Sequence, residues 1–146
     1  MVLFILCAVF VVWVGVLAAW DLRTRRLPDA LTLPGALMIT GWAVVVDPWL
    51  LLGGAGWFLL YLVTAGVVGG IGGGDIKFAL GLGTVAATGS VEGWLLAVVG
   101  SSLLTLLLAG VTLSGLAAGG GDRTMRVPHG PGMGLATCLA VWITAA

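Results

Sequence analysis

The chain has 146 residues, 60% of them hydrophobic and 8% charged, with a formal net charge of zero and a mean hydropathy of +1.20. A soluble domain carries about 25% charged residues because its surface faces water, so this composition excludes an ordinary water-exposed surface. Zero net charge leaves no basic field to hold nucleic acid, and the length suits a single domain spanning residues 1–146.

A membrane-crossing helix needs about 20 mostly apolar residues. The first candidate is 2–20. No Lys or Arg precedes it and the basic segment DLRTRR follows it, the reverse of a signal peptide, so it is expected to be a retained span. Bulky Ile5 and Leu6 before Cys7 do not suit a lipoprotein acceptor. The connection DLRTRRLPD leads to a short candidate at 30–46, and DPW leads to 50–69. A glycine tract from Gly69 to Gly74 precedes another short candidate at 75–88, which can begin within the tract. TGSVE then joins it to 93–117, and GGGDRTMRVP joins that to 129–145. Short connections make consecutive helices antiparallel neighbours. The expected fold is an all-α integral membrane protein, a bundle of six transmembrane helices.

With six spans, loops one, three and five share a side. Arg23, Arg25 and Arg26 fall in the first, Lys77 beside the third, and Arg123 and Arg126 in the fifth. The opposite side keeps Asp47 and Glu92. The positive-inside rule makes the basic side cytoplasmic and puts both termini outside. Gly66, Gly70 and Gly74 stand four apart, as do Gly115 and Gly119, a spacing that lets helices approach closely in lipid. Cys7 and Cys138 sit alone in apolar runs and read as small packing residues. A structural zinc site takes four ligands, and no such set is in view, so neither metal nor cofactor is expected.

Asp21 ends the first span and Asp75 opens the fourth, which puts both at the cytoplasmic boundary. Acidic groups beside a span tend to face the protein interior or water. Two carboxylates at one depth on separate helices can meet across a bundle. At about 3 Å apart they share one proton, one acting as base toward water and the other as acid toward a carbonyl. The plain structural alternatives are a solvated loop residue for Asp21 and a carboxylate at a helix start, favoured by the dipole, for Asp75. Before Asp75 stand Gly72, Gly73 and Gly74, so the segment reads GxGD. Bare glycine backbone allows unusual angles and close approach, and an extended substrate can hydrogen-bond beside it.

Three segments, DLRTRRLPDALTLPG after the first span, GGGDIKFALGLG at the fourth and VPHGPGMGLAT opening the last, together resemble the prepilin peptidase family of GxGD membrane aspartic peptidases. The short members without an extra domain, including those serving Tad/Flp-type pili, are similar, as are the archaeal preflagellin peptidases. The resemblance runs from about residue 15 to the end. It implies that Asp21 and Asp75 are the catalytic pair. It further implies cleavage of basic leader peptides from prepilin-like single-span precursors at the cytoplasmic face of the inner (plasma) membrane, usually after a glycine. Gly72, Gly73 and Gly74, with Pro128, Gly130 and Pro131, are the expected substrate-side residues. The paired-cysteine region that longer members link to N-methylation has no counterpart here, so methyltransferase activity is not expected.

Asp29 is a rival first aspartate, but it stands where the second helix begins and is expected to be its N-cap. The resembling family usually has an aromatic residue where His129 stands; His129 is expected to fill shape at a helix start, and Pro131 suits a first helical turn. Lys77 is expected to reach phospholipid, and the three loop arginines to serve topology and anionic lipid. Ser101, Ser102 and Thr105 should bond carbonyls of their own helix, and the seven tryptophans, mostly near span ends, should anchor at the interfaces. Two other classes remain readable: a noncatalytic assembly partner of a pilus or secretion system, and a small ion or proton carrier. A carrier places its acids near mid-membrane, whereas these stand at an edge.

Overall fold

The computed structural model describes residues 1–119 and 127–145. Among them the regular elements are all α-helices: α1 Val2–Thr24, α2 Asp29–Val46, α3 Leu50–Val67, α4 Gly73–Ala86, α5 Val91–Gly119 and α6 Gly130–Ala145. Within these residues α1, α2, α3 and α5 are long and apolar enough to cross a membrane. With its apolar exterior, the chain is a multi-pass membrane protein. Arg123 and Arg126 lie outside the described residues, and the packing of Gly115 and Gly119 is likewise not described.

Helix α4 explains how a short segment fits this setting. Its 14 residues reach only about 21 Å at the usual rise, short of a bilayer core. It is sheltered instead. Ile76, Phe78, Ala79, Leu82, Thr84 and Ala86 are buried, and α2, α3, α5 and α6 all pack on it. Helix ends are tolerated at membrane depth where protein surrounds them.

Close approach of α3 to α4 depends on glycine. A Cβ on Gly54 would fall 2.6 Å from the Leu80 carbonyl oxygen, and one on Gly83 only 2.5 Å from that of Gly53. The expected Gly66, Gly70 and Gly74 series is not the contact: α3 ends at Val67, and Gly66 and Gly70 face open space. Positive φ occurs at Gly69 (76°) and Gly70 (85°), where the chain turns out of α3, and not at Gly74.

Three tryptophans depart from the interfacial expectation. Trp57 is fully buried, Trp13 donates its indole N–H to the Leu31 carbonyl at 2.9 Å, and Trp94 donates to that of Gly53 at 2.9 Å. They join helices. Trp20, Trp49 and Trp142 are exposed. Asp29 is also reassigned. Pro28 occupies the N-cap of α2, and Asp29 is the first helical residue, 2.7 Å from Nζ of Lys77. Lys77 therefore pairs within the protein.

Candidate active site

Asp21 stands one turn before the end of α1 and is only 3% exposed. A buried carboxylate needs donors. They come from the start of α6: the amide of Gly130 donates to Asp21 Oδ2 at 2.8 Å, and the amide of His129 also faces this carboxylate. The first amides of a helix lack intrahelical partners, and the positive end of its dipole suits an anion. A Cβ on Gly130 would lie 3.0 Å from Asp21 Oδ2, so the approach leaves little room for a side chain.

Asp75 is the third residue of α4, and its Oδ2 accepts from the amide of Gly72 at 3.2 Å. This is the reciprocal arm of a capping box, a side chain reaching back to the residue before the helix. The plain reading of Asp75 as a carboxylate at a helix start is therefore correct as far as it goes. It does not remove Asp75 from chemistry, because Asp21 and Asp75 line the same cavity.

That cavity has a volume of about 720 Å³, within the range of substrate pockets. Gly72, just before α4, and Gly73 and Gly74 in its first turn line it, with Tyr61 and Thr105 from α3 and α5. The glycines differ from one another. Gly73 has open space where a Cβ would go, whereas a Cβ on Gly74 would fall 2.6 Å from the Leu27 carbonyl oxygen. Gly74 thus lets the first loop pack onto the turn of α4 that carries Asp75. Both Gly73 and Gly74 are helical, so only Gly72, with φ −74° and ψ 144°, is extended.

Pro128, Gly130 and Pro131 are not on the cavity wall; Pro128 and Gly130 are buried and Pro131 is half-buried. The wall in this segment is formed by Val127 and His129. Arg25 and Arg26, assigned from sequence to topology and lipid, also line it beside Asp21. Asp29 does not. Among the described residues, no three of His, Cys, Asp and Glu converge as metal ligands would.

A polar cluster beside the same cavity was not legible in the sequence. Tyr61 Oη lies 2.6 Å from Nε2 of His129 and 3.3 Å from Oγ of Ser101, and Nδ1 of His129 meets the hydroxyl of Thr105. Ser101 and Thr105 do bond their own helix, to the carbonyls of Val98 at 2.7 Å and of Ser101 at 2.8 Å. Their second contacts, to Tyr61 and His129, were not legible. The available signal was Tyr61 itself, the one tyrosine of the chain, set inside an apolar helix.

Two carboxylates on different helices thus face one cavity in a multi-pass membrane bundle. The chain belongs to the type IV leader peptidase family, whose family model matches residues 8–145. No curated protein and no solved structure matched it.

Proposed function

We propose that this chain is an aspartic endopeptidase that removes the basic leader of type IV prepilin-like precursors, with Asp21 and Asp75 as its catalytic pair. The observation that carries this reading is that these two carboxylates, 54 positions apart in sequence, line one cavity. Membership of a leader peptidase family supports the substrate class.

The two carboxylates hold one proton between them. The ionised one takes a proton from water as the water oxygen attacks the scissile carbonyl carbon. The protonated one gives its proton to the carbonyl oxygen, forming a tetrahedral diol. Collapse breaks the C–N bond. The amine nitrogen takes a proton from one carboxyl, a diol hydroxyl returns one to the other carboxylate, and the pair again holds a single proton. The extended backbone at Gly72 and the open side of Gly73 offer the substrate a place to lie. The placement of all six Lys and Arg in or beside the first, third and fifth loops supports a site at the cytoplasmic boundary of the inner membrane, with both termini outside. Precursors are single-span and approach laterally through lipid.

The test is co-expression with a single-span precursor bearing a basic leader that ends in glycine, read as a size shift. Asp21→Asn and Asp75→Asn should each lower cleavage by about a thousandfold while the protein stays in the membrane. Cleavage by both variants at the wild-type level would overturn the reading and favour a noncatalytic assembly partner.

A further inference from the structure

The amides that face Asp21 belong to His129 and Gly130, and the side chain of His129 is held on both ring nitrogens. Thr105 gives its hydroxyl proton to the Ser101 carbonyl at 2.8 Å, so its oxygen is left to accept, and Nδ1 of His129 is the donor to it. Ser101 likewise gives its proton to the Val98 carbonyl at 2.7 Å. The proton of Tyr61 then goes to the nearer partner, Nε2 of His129 at 2.6 Å, rather than to Ser101 at 3.3 Å. This assigns a neutral imidazole with its proton on Nδ1. The ring also lies over Tyr61, with centroids 5.5 Å apart and planes tilted by 32°.

The backbone around this ring is equally constrained. The carbonyl of His129 accepts from Met133 at 3.1 Å, opening α6. A Cβ on Gly132 would fall 2.7 Å from the Thr105 hydroxyl, so the first turn of α6 lies flush on α5. α3 and α5 therefore fix the His129 ring, the ring fixes the peptide that follows, and that peptide presents its amide to Asp21.

We propose that His129 is a positioning residue, clamped by Tyr61 and Thr105 so that the backbone amides of His129 and Gly130 orient the carboxylate of Asp21. This rests on the reading of Asp21 as one of the catalytic pair. An uncharged clamp suits the role, since it fixes the donors without adding a charge beside the dyad.

The experiment uses the full chain in lipid nanodiscs and the variants Tyr61→Phe, Thr105→Val and His129→Phe, each of which removes hydrogen bonds with little change of volume. The first readout is hydrogen exchange at the His129 and Gly130 amides, resolved by mass spectrometry. Exchange there should rise by about tenfold or more in each variant, while amides at the Gly83 contact keep their wild-type rates. Thr105→Ser, which retains the hydroxyl, should restore slow exchange. The second readout is kinetics on a precursor with a lysine-rich leader. kcat should fall by about tenfold with KM within about twofold, and Tyr61→Phe combined with His129→Phe should be no slower than His129→Phe alone. Unchanged exchange in all three variants, or raised exchange with unchanged kcat, would overturn the clamp. Failure of the peptidase reading looks different: the wild type, or Asp21→Asn and Asp75→Asn, would give the unexpected cleavage result, and the exchange arm would still decide whether the clamp exists.

Discussion

Nζ of Lys77 lies 2.7 Å from Oδ2 of Asp29. This pair ties the first turn of α2 to α4 just past Asp75, and it turns Asp29 away from the cavity that Asp21 lines. Both side chains keep substantial exposure, 33% for Lys77 and 59% for Asp29, and such pairs contribute about 0–1 kcal/mol. Asp29→Asn should therefore cleave within about threefold of wild type, measured per unit of folded protein beside Asp21→Asn. A dead Asp29→Asn with an active Asp21→Asn would exchange their roles.

Gly73 and Gly74 allow the proposed substrate path to be tested apart from packing. A side chain on Gly74 would strike the backbone of Leu27, and overpacking of this kind costs about 1–3 kcal/mol. Gly74→Val should therefore lower the yield of folded protein, a different expectation from that of an unpacked glycine at the membrane edge. A Cβ on Gly73 meets nothing within 4 Å, so Gly73→Val has room that Gly74→Val lacks. It should extract from the membrane like wild type and yet cleave more slowly. Normal cleavage by Gly73→Val would mean that no substrate lies on this side of the tract.

The Gly53, Gly54 and Gly83 contact should behave as pure packing. Gly83→Val places atoms against the backbone of Gly53 and Gly54. It should reduce folded protein and leave the activity of the surviving fraction near wild type, measured by size-exclusion yield followed by cleavage on the recovered peak.

The one-sided distribution of Lys and Arg predicts how reporters will read. A fusion after Ala146 should report outside, and one inserted between residues 119 and 126 should report cytoplasmic. The reverse pattern would move the proposed site to the other face.

Helix positions were legible because lipid demands long apolar runs, and the charged and glycine-rich breaks between them are abrupt. The predicted spans match the observed helices to within a few residues, apart from the first, which continues to Thr24. Asp21 and Asp75 were legible for a related reason: with so few charges in the chain, carboxylates at span ends stand out. The resemblance of three short segments to the leader peptidases needed no fold at all.

Which face of each helix turns inward was not legible. A helix apolar all round carries no stripe to mark its buried side, so the inward placing of Trp13, Trp57 and Trp94 emerged only from packing. The same holds for Gly74, whose small size serves Leu27, and for His129, whose partners lie 24 and 68 positions away on α5 and α3. Sequence by itself determined the membrane setting, the helices and the two acids, because hydropathy and charge are local properties. Tertiary structure decided what surrounds the acids. In a bundle whose helices expose apolar surface both to lipid and to one another, close backbone contact and a few buried hydrogen bonds select the arrangement, and both join residues far apart in the chain.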